Sequence, residues 1–461
     1  MIKKKFLCYA LSMIMLISLS HGISFSAGRN LGRSELKMHR GINIGNALEA
    51  PKEGQWGVII KDEYFKIIRE AGFDTVRIPI RWSAHAEDKP PYRIDDEFFS
   101  RIDWVVNKSL EQGLITIINI HHYEEIMEDP MGHRERFLSL WRQISNHYKG
   151  YPENLYFELL NEPHERLTSK IWNDLLAEAI KIIRETNPSR KVIVGPTNWN
   201  GIDGLEDLVI PEHDRNIIVT FHFYTPFEFT HQGAEWVSPS PPIGKKWLGT
   251  EAERKQIAKL LDVAVQWSEK HGNIPLFLGE FGAYSKADMD SRVRWTCFVA
   301  REAEKRGIPW CYWEFCAGFG AYDPKENKWR KPLLYALIPK PNKYFISAVT
   351  DYGSISGTGW YDEGTYATIK LDRTATGFLV RDVFVFFDGL KPEDKIIDKG
   401  VVQVYVDGPR EIRAVWRKDY TQLVLIMAAA CIGCLLLLLL RRMSSKKGVH
   451  LKTCMLILCF S

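Results

Sequence analysis

Two glutamates each close a β-rich run, in Asn161-Glu162-Pro163 and in Leu278-Gly279-Glu280-Phe281-Gly282. A carboxylic acid and a carboxylate flanking one bond are the minimum equipment for displacement at an acetal carbon. One protonates the leaving oxygen while the other attacks, and a separation of about 5–5.5 Å permits a covalent intermediate. Each glutamate alone has a plainer reading. Asn-Glu-Pro can open a helix with Pro163 in its first turn, and Glu280 can be a buried structural carboxylate. Their joint placement points to chemistry.

The neighbouring residues suggest two different protonation states. Arg77, near the end of the run Thr75–Ile80, could pair with Glu280 and favour its charged form. Glu162 has to arrive protonated, which calls for an apolar setting or a nearby negative charge that raises its pKa. Asn161 could bond a sugar hydroxyl. His222 and Tyr224 alternate with Phe223 and so share a face. Tyr224 could donate to Glu280, and His222 could tune the acid. Trp313 offers a flat floor for a pyranose ring.

Such residues need a scaffold that brings distant segments to one mouth. β-rich runs occur at Gly41–Asn46, Thr75–Ile80, Ile115–His122 and Leu155–Glu162, then at Val192–Thr197, Ile217–Tyr224, Pro275–Gly282 and Pro309–Phe315. Amphipathic stretches lie between them, clearest at 62–71, 98–112, 171–186, 251–271 and 291–306, several followed by Gly or Asn as helix C-termini are. The pattern predicts an α/β fold, a (β/α)8 TIM barrel. An open doubly wound sheet would announce itself with a glycine-rich phosphate loop after an early strand, and there is none. In a barrel the catalytic groups project from the C-terminal strand ends, where this sequence places Asn46, Arg77, His121, His122, Asn161, Glu162, Asn198, Trp199, His222, Tyr224, Glu280 and Trp313.

The segments Gly41-Ile-Asn-Ile-Gly-Asn46, Arg77-Ile-Pro79, Trp82-Ser-Ala-His-Ala-Glu87 and Asn161-Glu-Pro-His164 resemble glycoside hydrolase family 5. So do Leu278–Gly282 and, most specifically, Phe221-His-Phe-Tyr-Thr-Pro-Phe-Glu-Phe-Thr-His-Gln-Gly-Ala-Glu-Trp236. The resemblance covers residues 38–338 and is nearest to the family's endo-β-1,4-glucanases. It implies a retaining mechanism without cofactor or metal, with Glu162 as acid/base and Glu280 as nucleophile. It further implies Arg77, Asn161, His222 and Tyr224 in support, and Asn43, Glu49, His121, His122 and Trp313 along the sugar subsites. A mannanase, or a dual glucanase/mannanase, is the nearest rival. A non-catalytic polysaccharide-binding surface protein would be expected to lose one carboxylate, and both are present.

The remaining chain suggests a location. Lys3–Lys5 followed by the apolar run Phe6–Leu19 reads as a secretory signal over residues 1–27, with an uncleaved anchor as the alternative. Residues 345–416 read as an all-β spacer or accessory module resembling those of archaeal surface proteins. Residues 421–440 are apolar enough to span a bilayer, and Arg441, Arg442, Lys446 and Lys447 place the tail 441–461 in the cytoplasm. The expectation is a cell-surface protein with its body outside. Of eight cysteines only Cys297, Cys311 and Cys316 fall in that body, in no metal-ligand spacing. The formal charge of +4 and the lack of a basic stripe argue against nucleic acid as a partner. Most of the 15 tryptophans are expected in the core.

Overall fold

Residues 36–339 and 342–446 are described by a computed structural model, in which eight parallel strands close into a barrel in sequence order. They are β1 (Arg40–Asn43), β2 (Thr75–Ile78), β3 (Ile115–Asn119), β4 (Leu155–Glu158), β5 (Val192–Val194), β6 (Ile217–Phe223), β7 (Leu276–Phe281) and β8 (Trp310–Tyr312). Every residue in β2 to β8 is buried, as expected when helices cover one face and the barrel interior the other. Ile115, Ile117, Tyr156, Ile193, Ile218, Phe277 and Cys311 fill the interior near the strand starts, under Met38.

Most strands are shorter than the sequence pattern predicts. The ladder stops at Asn119 and Glu158, while the expected runs continue to His122 and Glu162. The reason lies in the backbone: His122 and Glu162 both take φ +48°, which ends extended structure. The loops that present the site therefore begin earlier than composition suggests.

The surrounding helices include α1 (Asp62–Ala71), α2 (Asp96–Glu111), α3 (Pro130–His147), α4 (Ser169–Thr186), α5 (Glu251–Lys270), α6 (Met289–Lys305) and α7 (Lys331–Leu337). Their starts are well capped. Asp95 accepts from Phe98 N, Asp288 from Ser291 N, and Thr250 forms a reciprocal capping box with Glu253. Trp82, Trp141, Trp172, Trp247, Trp267, Trp295 and Trp310 are essentially fully buried, in agreement with the core reading of the aromatics.

Residues 343–419 form a second layered unit. One sheet is ordered β11 (Gly359–Asp362), β9 (Lys343–Val349), β17 (Arg410–Asp419), β14 (Arg381–Asp388), β13 (Ala375–Thr376). The other is ordered β10 (Ile355–Ser356), β12 (Tyr366–Leu371), β16 (Val401–Tyr405), β15 (Lys395–Asp398). Its core is Ile346, Ile369, Phe384, Phe387, Val402, Val404 and Ile412. The unit lies against the side of the barrel, where Arg294 on α6 pairs with Glu411 at 2.8 Å with both side chains buried. Helix α8 (Thr421–Lys446) follows, and its stretch Thr421–Leu440, of mean hydropathy 3.1, is long and apolar enough to cross a membrane. The expected signal segment 1–27 and the tail beyond Lys446 lie outside the described residues. Cys297, Cys311 and Cys316 are free and buried.

Candidate active site

The barrel mouth is organised around one guanidinium. Arg77 on β2 is fully buried, and its Nε and Nη2 donate to the two oxygens of Glu158, both at 2.6 Å. Its remaining donors reach Glu280 Oε1 at 2.6 Å, Asn43 Oδ1 at 2.9 Å and Asn161 Oδ1 at 2.8 Å. Burial works against the charge of Arg77, but Glu158 and then Glu280 outweigh it and hold the group protonated. The fork geometry fixes four side chains from the ends of β1, β4 and β7 at once.

Glu280 on β7 accepts from Arg77 through one oxygen and from Tyr224 Oη at 2.9 Å through the other. Burial, and next the charge of Glu280, push the Tyr224 hydroxyl well above its usual range, so it stays a donor. Glu162, just past β4, faces Glu280 across the mouth. An oxygen of each carboxylate and a ring nitrogen of His222 all lie within 4.8 Å of one another. Those atoms could in principle ligate a cation, but Glu280 already has a donor on each oxygen and His222 Nδ1 already faces Glu162.

His222 on β6 brings its Nδ1 to 2.7 Å from Glu162 Oε1 and 3.6 Å from Glu280 Oε2. Burial pushes the Glu162 carboxyl up, but the hydrogen bond and charge of His222, with smaller contributions from His122 and Arg77, bring it below its usual range overall. This corrects the expectation of a raised value. The sequence shows an acid at a strand end, but not that an imidazole would donate directly to it.

Asn200 completes the arrangement from behind. Its Nδ2 lies 3.3 Å from His222 Nε2, and its buried Oδ1 has no partner among the described residues. It belongs to the run Asn198, Trp199, Asn200 with φ of 60°, 55° and 55°. Gly195 admits it, because a Cβ there would lie 2.2 Å from Asn200 Oδ1.

The expected subsite residues divide. Trp313 is half-buried, and His121 stacks parallel to it at 5.9 Å. His121 is buried and held neutral, chiefly by that burial and then by His122. His122 is partly exposed, 3.2 Å from Glu124 and edge-on to Trp56 at 5.4 Å. Asn43 and Glu49 do not line the cleft. Asn43 is fully buried and donates to Gly279 O at 3.0 Å. Glu49 is 1% exposed and accepts the backbone N–H groups of Asn46 and Ala47. Both lie in the wall behind the mouth, where their polar atoms are consumed by backbone and by Arg77.

Sequence reasoning missed Glu158, Asn200 and Glu314. Glu314 is fully buried and accepts from the backbone of Cys316, Ala317 and Phe319 at 2.6 to 3.0 Å. A glutamate inside the apolar run Leu155-Tyr-Phe-Glu158 was a signal available for the first. Around the mouth, Trp56, Trp199 and Trp236 remain exposed, and Trp199 stacks on His164 at 4.9 Å.

Comparison with known proteins agrees with the barrel fold. Residues 40–318 match the cellulase family, glycosyl hydrolase family 5. Endoglucanase H of Acetivibrio thermocellus is 40% identical over 281 residues, 60% of this chain but 29% of that protein. Cellulase/esterase CelE of the same organism is 32% identical over 65% of this chain and 37% of that one. The chain thus spans about a third of the length of these two curated relatives. The structure of endoglucanase Cel5A from Thermotoga maritima is 57% identical with a TM-score of 0.64, covering 65% of this chain and 96% of that one. Cel5A is also known in complex with cellobiose and with mannotriose. With a closed eight-stranded barrel, a facing glutamate pair at its mouth and a match spanning most of that barrel, the chain belongs to glycosyl hydrolase family 5.

Proposed function

We propose that the chain is a retaining endo-β-1,4-glucanase that cuts cellulose-like or mixed-linkage β-glucan by double displacement. The observation that carries this reading is the proximity of Glu162 and Glu280, with oxygens within 4.8 Å, close to the roughly 5–5.5 Å carboxyl spacing of retaining enzymes. Glu280, oriented by Arg77 and Tyr224, attacks the anomeric carbon. The glycosidic C–O bond breaks, and its oxygen takes a proton from Glu162. Water then enters, gives its proton to Glu162 and releases the sugar from Glu280 with net retention.

Because His222 pulls the Glu162 carboxyl down in the open cleft, the acid's proton is supplied across the 2.7 Å contact with His222 Nδ1. Substrate that displaces water strengthens the burial effect and favours the neutral carboxyl. The half-buried Trp313 and the exposed Trp56, Trp199 and Trp236 are suited to stacking on the faces of successive glucose units. No residue on the pathway calls for a cofactor.

The glucan lies outside the cell in this reading, with α8 as the anchor, residues 345–416 as a spacer or accessory module and the segment 1–27 directing export. Parallel assays on carboxymethyl cellulose, lichenan and glucomannan test the substrate. Turnover of the first two is expected. Activity confined to mannan-containing polymer would replace the glucanase reading with a mannanase.

A further inference from the structure

The direction in which the β unit is docked sets the direction in which the barrel faces. Helix α6 follows β7 and, as in every βα unit of the barrel, runs back from the C-terminal rim toward the opposite end. Strand β9 lies along it in the opposite sense. Tyr344 near its start is within reach of the charge on Arg301, late in α6. Ser347 further on reaches Asp290, in the first turn of α6, at 3.5 Å. Thr350, just past its end, shares a cavity wall with Asp288, the α6 N-cap. Strand β9 therefore points the way the barrel strands point, toward the rim that carries Glu162 and Glu280.

Strand β17 is parallel to β9, in the register Ile346 with Arg410 and Val349 with Arg413. It then continues from Arg413 to Asp419, about 20 Å at 3.3–3.4 Å per residue. Trp416 Nε1, donating to Thr350 Oγ1 at 3.1 Å, marks the level of the α6 N-cap. Only Tyr420 separates Asp419 from the first residue of α8. The apolar helix thus departs on the catalytic side of the barrel.

A second feature sits at that departure point. Arg381 of β14 pairs with Asp419 in the ladder, so the β13–β14 hairpin tip, residues 377–380, lies beside the start of α8. The tip presents Phe378, 77% exposed, and Leu379, 42% exposed. Arg381, Arg417, Lys418 and the exposed Tyr420 lie in or next to the ladder that adjoins it, with Asp382 matched to Lys418 at 3.1 Å and Asp419 opposite Arg381. Apolar tips beside cationic and aromatic side chains suit the interface of a phospholipid bilayer. Continuity with the span at Thr421 identifies the bilayer as the occupant.

We propose that the β13–β14 hairpin tip is a second membrane contact, inserted in the interface of the bilayer that α8 crosses, and that the two contacts hold the catalytic mouth on the membrane side of the barrel. The inference rests on reading α8 as a membrane anchor. It makes β-glucan chains lying at the membrane surface the substrate the cleft meets.

The test uses the full chain in phosphatidylcholine/phosphatidylglycerol vesicles. A donor dye is placed through an unnatural amino acid either at Ser240, in the exposed loop leaving β6, or at Glu269, at the far end of α5. The ends of α5 are about 30 Å apart, so energy transfer to a headgroup acceptor separates the orientations. Higher transfer at Ser240 than at Glu269 is expected, with the difference narrowed in F378S/L379S. Co-flotation with equal or reversed transfer overturns the orientation. A difference untouched by F378S/L379S overturns the hairpin contact. Failure to co-float overturns the anchor reading itself.

Discussion

His222 Nδ1 stands 2.7 Å from Glu162 Oε1, while its other nitrogen faces Asn200 at 3.3 Å. The imidazole therefore bridges the acid and a buried amide that can present either of two atoms. With Nδ2 toward the ring, Asn200 donates to neutral His222. Turned by half a rotation, its unpartnered Oδ1 accepts from the imidazolium. In the proposed mechanism, the proton that Glu162 uses has a partner in either state.

Replacing Asn200 by Ala is expected to leave KM nearly unchanged and to lower kcat while moving the alkaline limb of its pH profile toward lower pH. The imidazolium loses the acceptor that a turned Asn200 would offer at Nε2. Glu162→Gln removes the proposed acid outright and should cost about 10²–10⁴-fold in kcat on substrates with poor leaving groups. If N200A shifts stability alone, with the pH profile intact, Asn200 is merely structural.

Arg77→Lys should be far from conservative. A lysine cannot reproduce the paired 2.6 Å bonds to Glu158 and also reach Glu280, Asn43 and Asn161. Breaking one side of a buried ion pair costs roughly 3–5 kcal/mol, so denaturant unfolding should show a large loss together with near-complete loss of turnover. A variant of wild-type stability would contradict the central place given to Arg77.

Two acids outside the reaction should govern stability against pH. Burial raises Glu314 from 4.5 to about 7, against the pull of its backbone donors, and raises Glu49 to about 7 in the same way. A carboxyl with a raised folded pKa binds its proton more tightly when folded. Its contribution is therefore complete below about 4.5 and lost as pH rises through about 7. For a shift of that size the change is of order 3 kcal/mol per group. Melting temperature should fall between pH 5 and 8, and the fall should be shallower in E314Q. An unchanged slope in that variant would rule Glu314 out as its source.

Much of the scaffold was legible because period and punctuation agreed. Residues 62–71, with Gly72 at φ +106° behind them, form the expected helix to the residue. Helix α3 was not among the clear amphipathic stretches, since its buried face includes Arg136, bonded to the carbonyls of Ser83, Ala86 and Glu87. Glutamates at strand ends could be found by position. Glu158, Glu314 and Asn200 could not be weighed so easily, because their importance comes from partners 81 residues away, from a backbone loop, and from a left-handed turn. The reversal at Glu162 has the same origin: its pKa is set by a contact 60 residues distant.

The most direct test of the account is trapping with a 2-fluoro-cellobioside carrying a good leaving group, followed by peptide mass spectrometry. The 2-fluorine slows release of a glycosyl-enzyme, so a covalent intermediate accumulates if one forms. The expected result is one label per chain, on the peptide containing Glu280, with free β-cellobiose as the first product seen by NMR from the unmodified substrate. A label on another residue, or α-anomer released first, would contradict it.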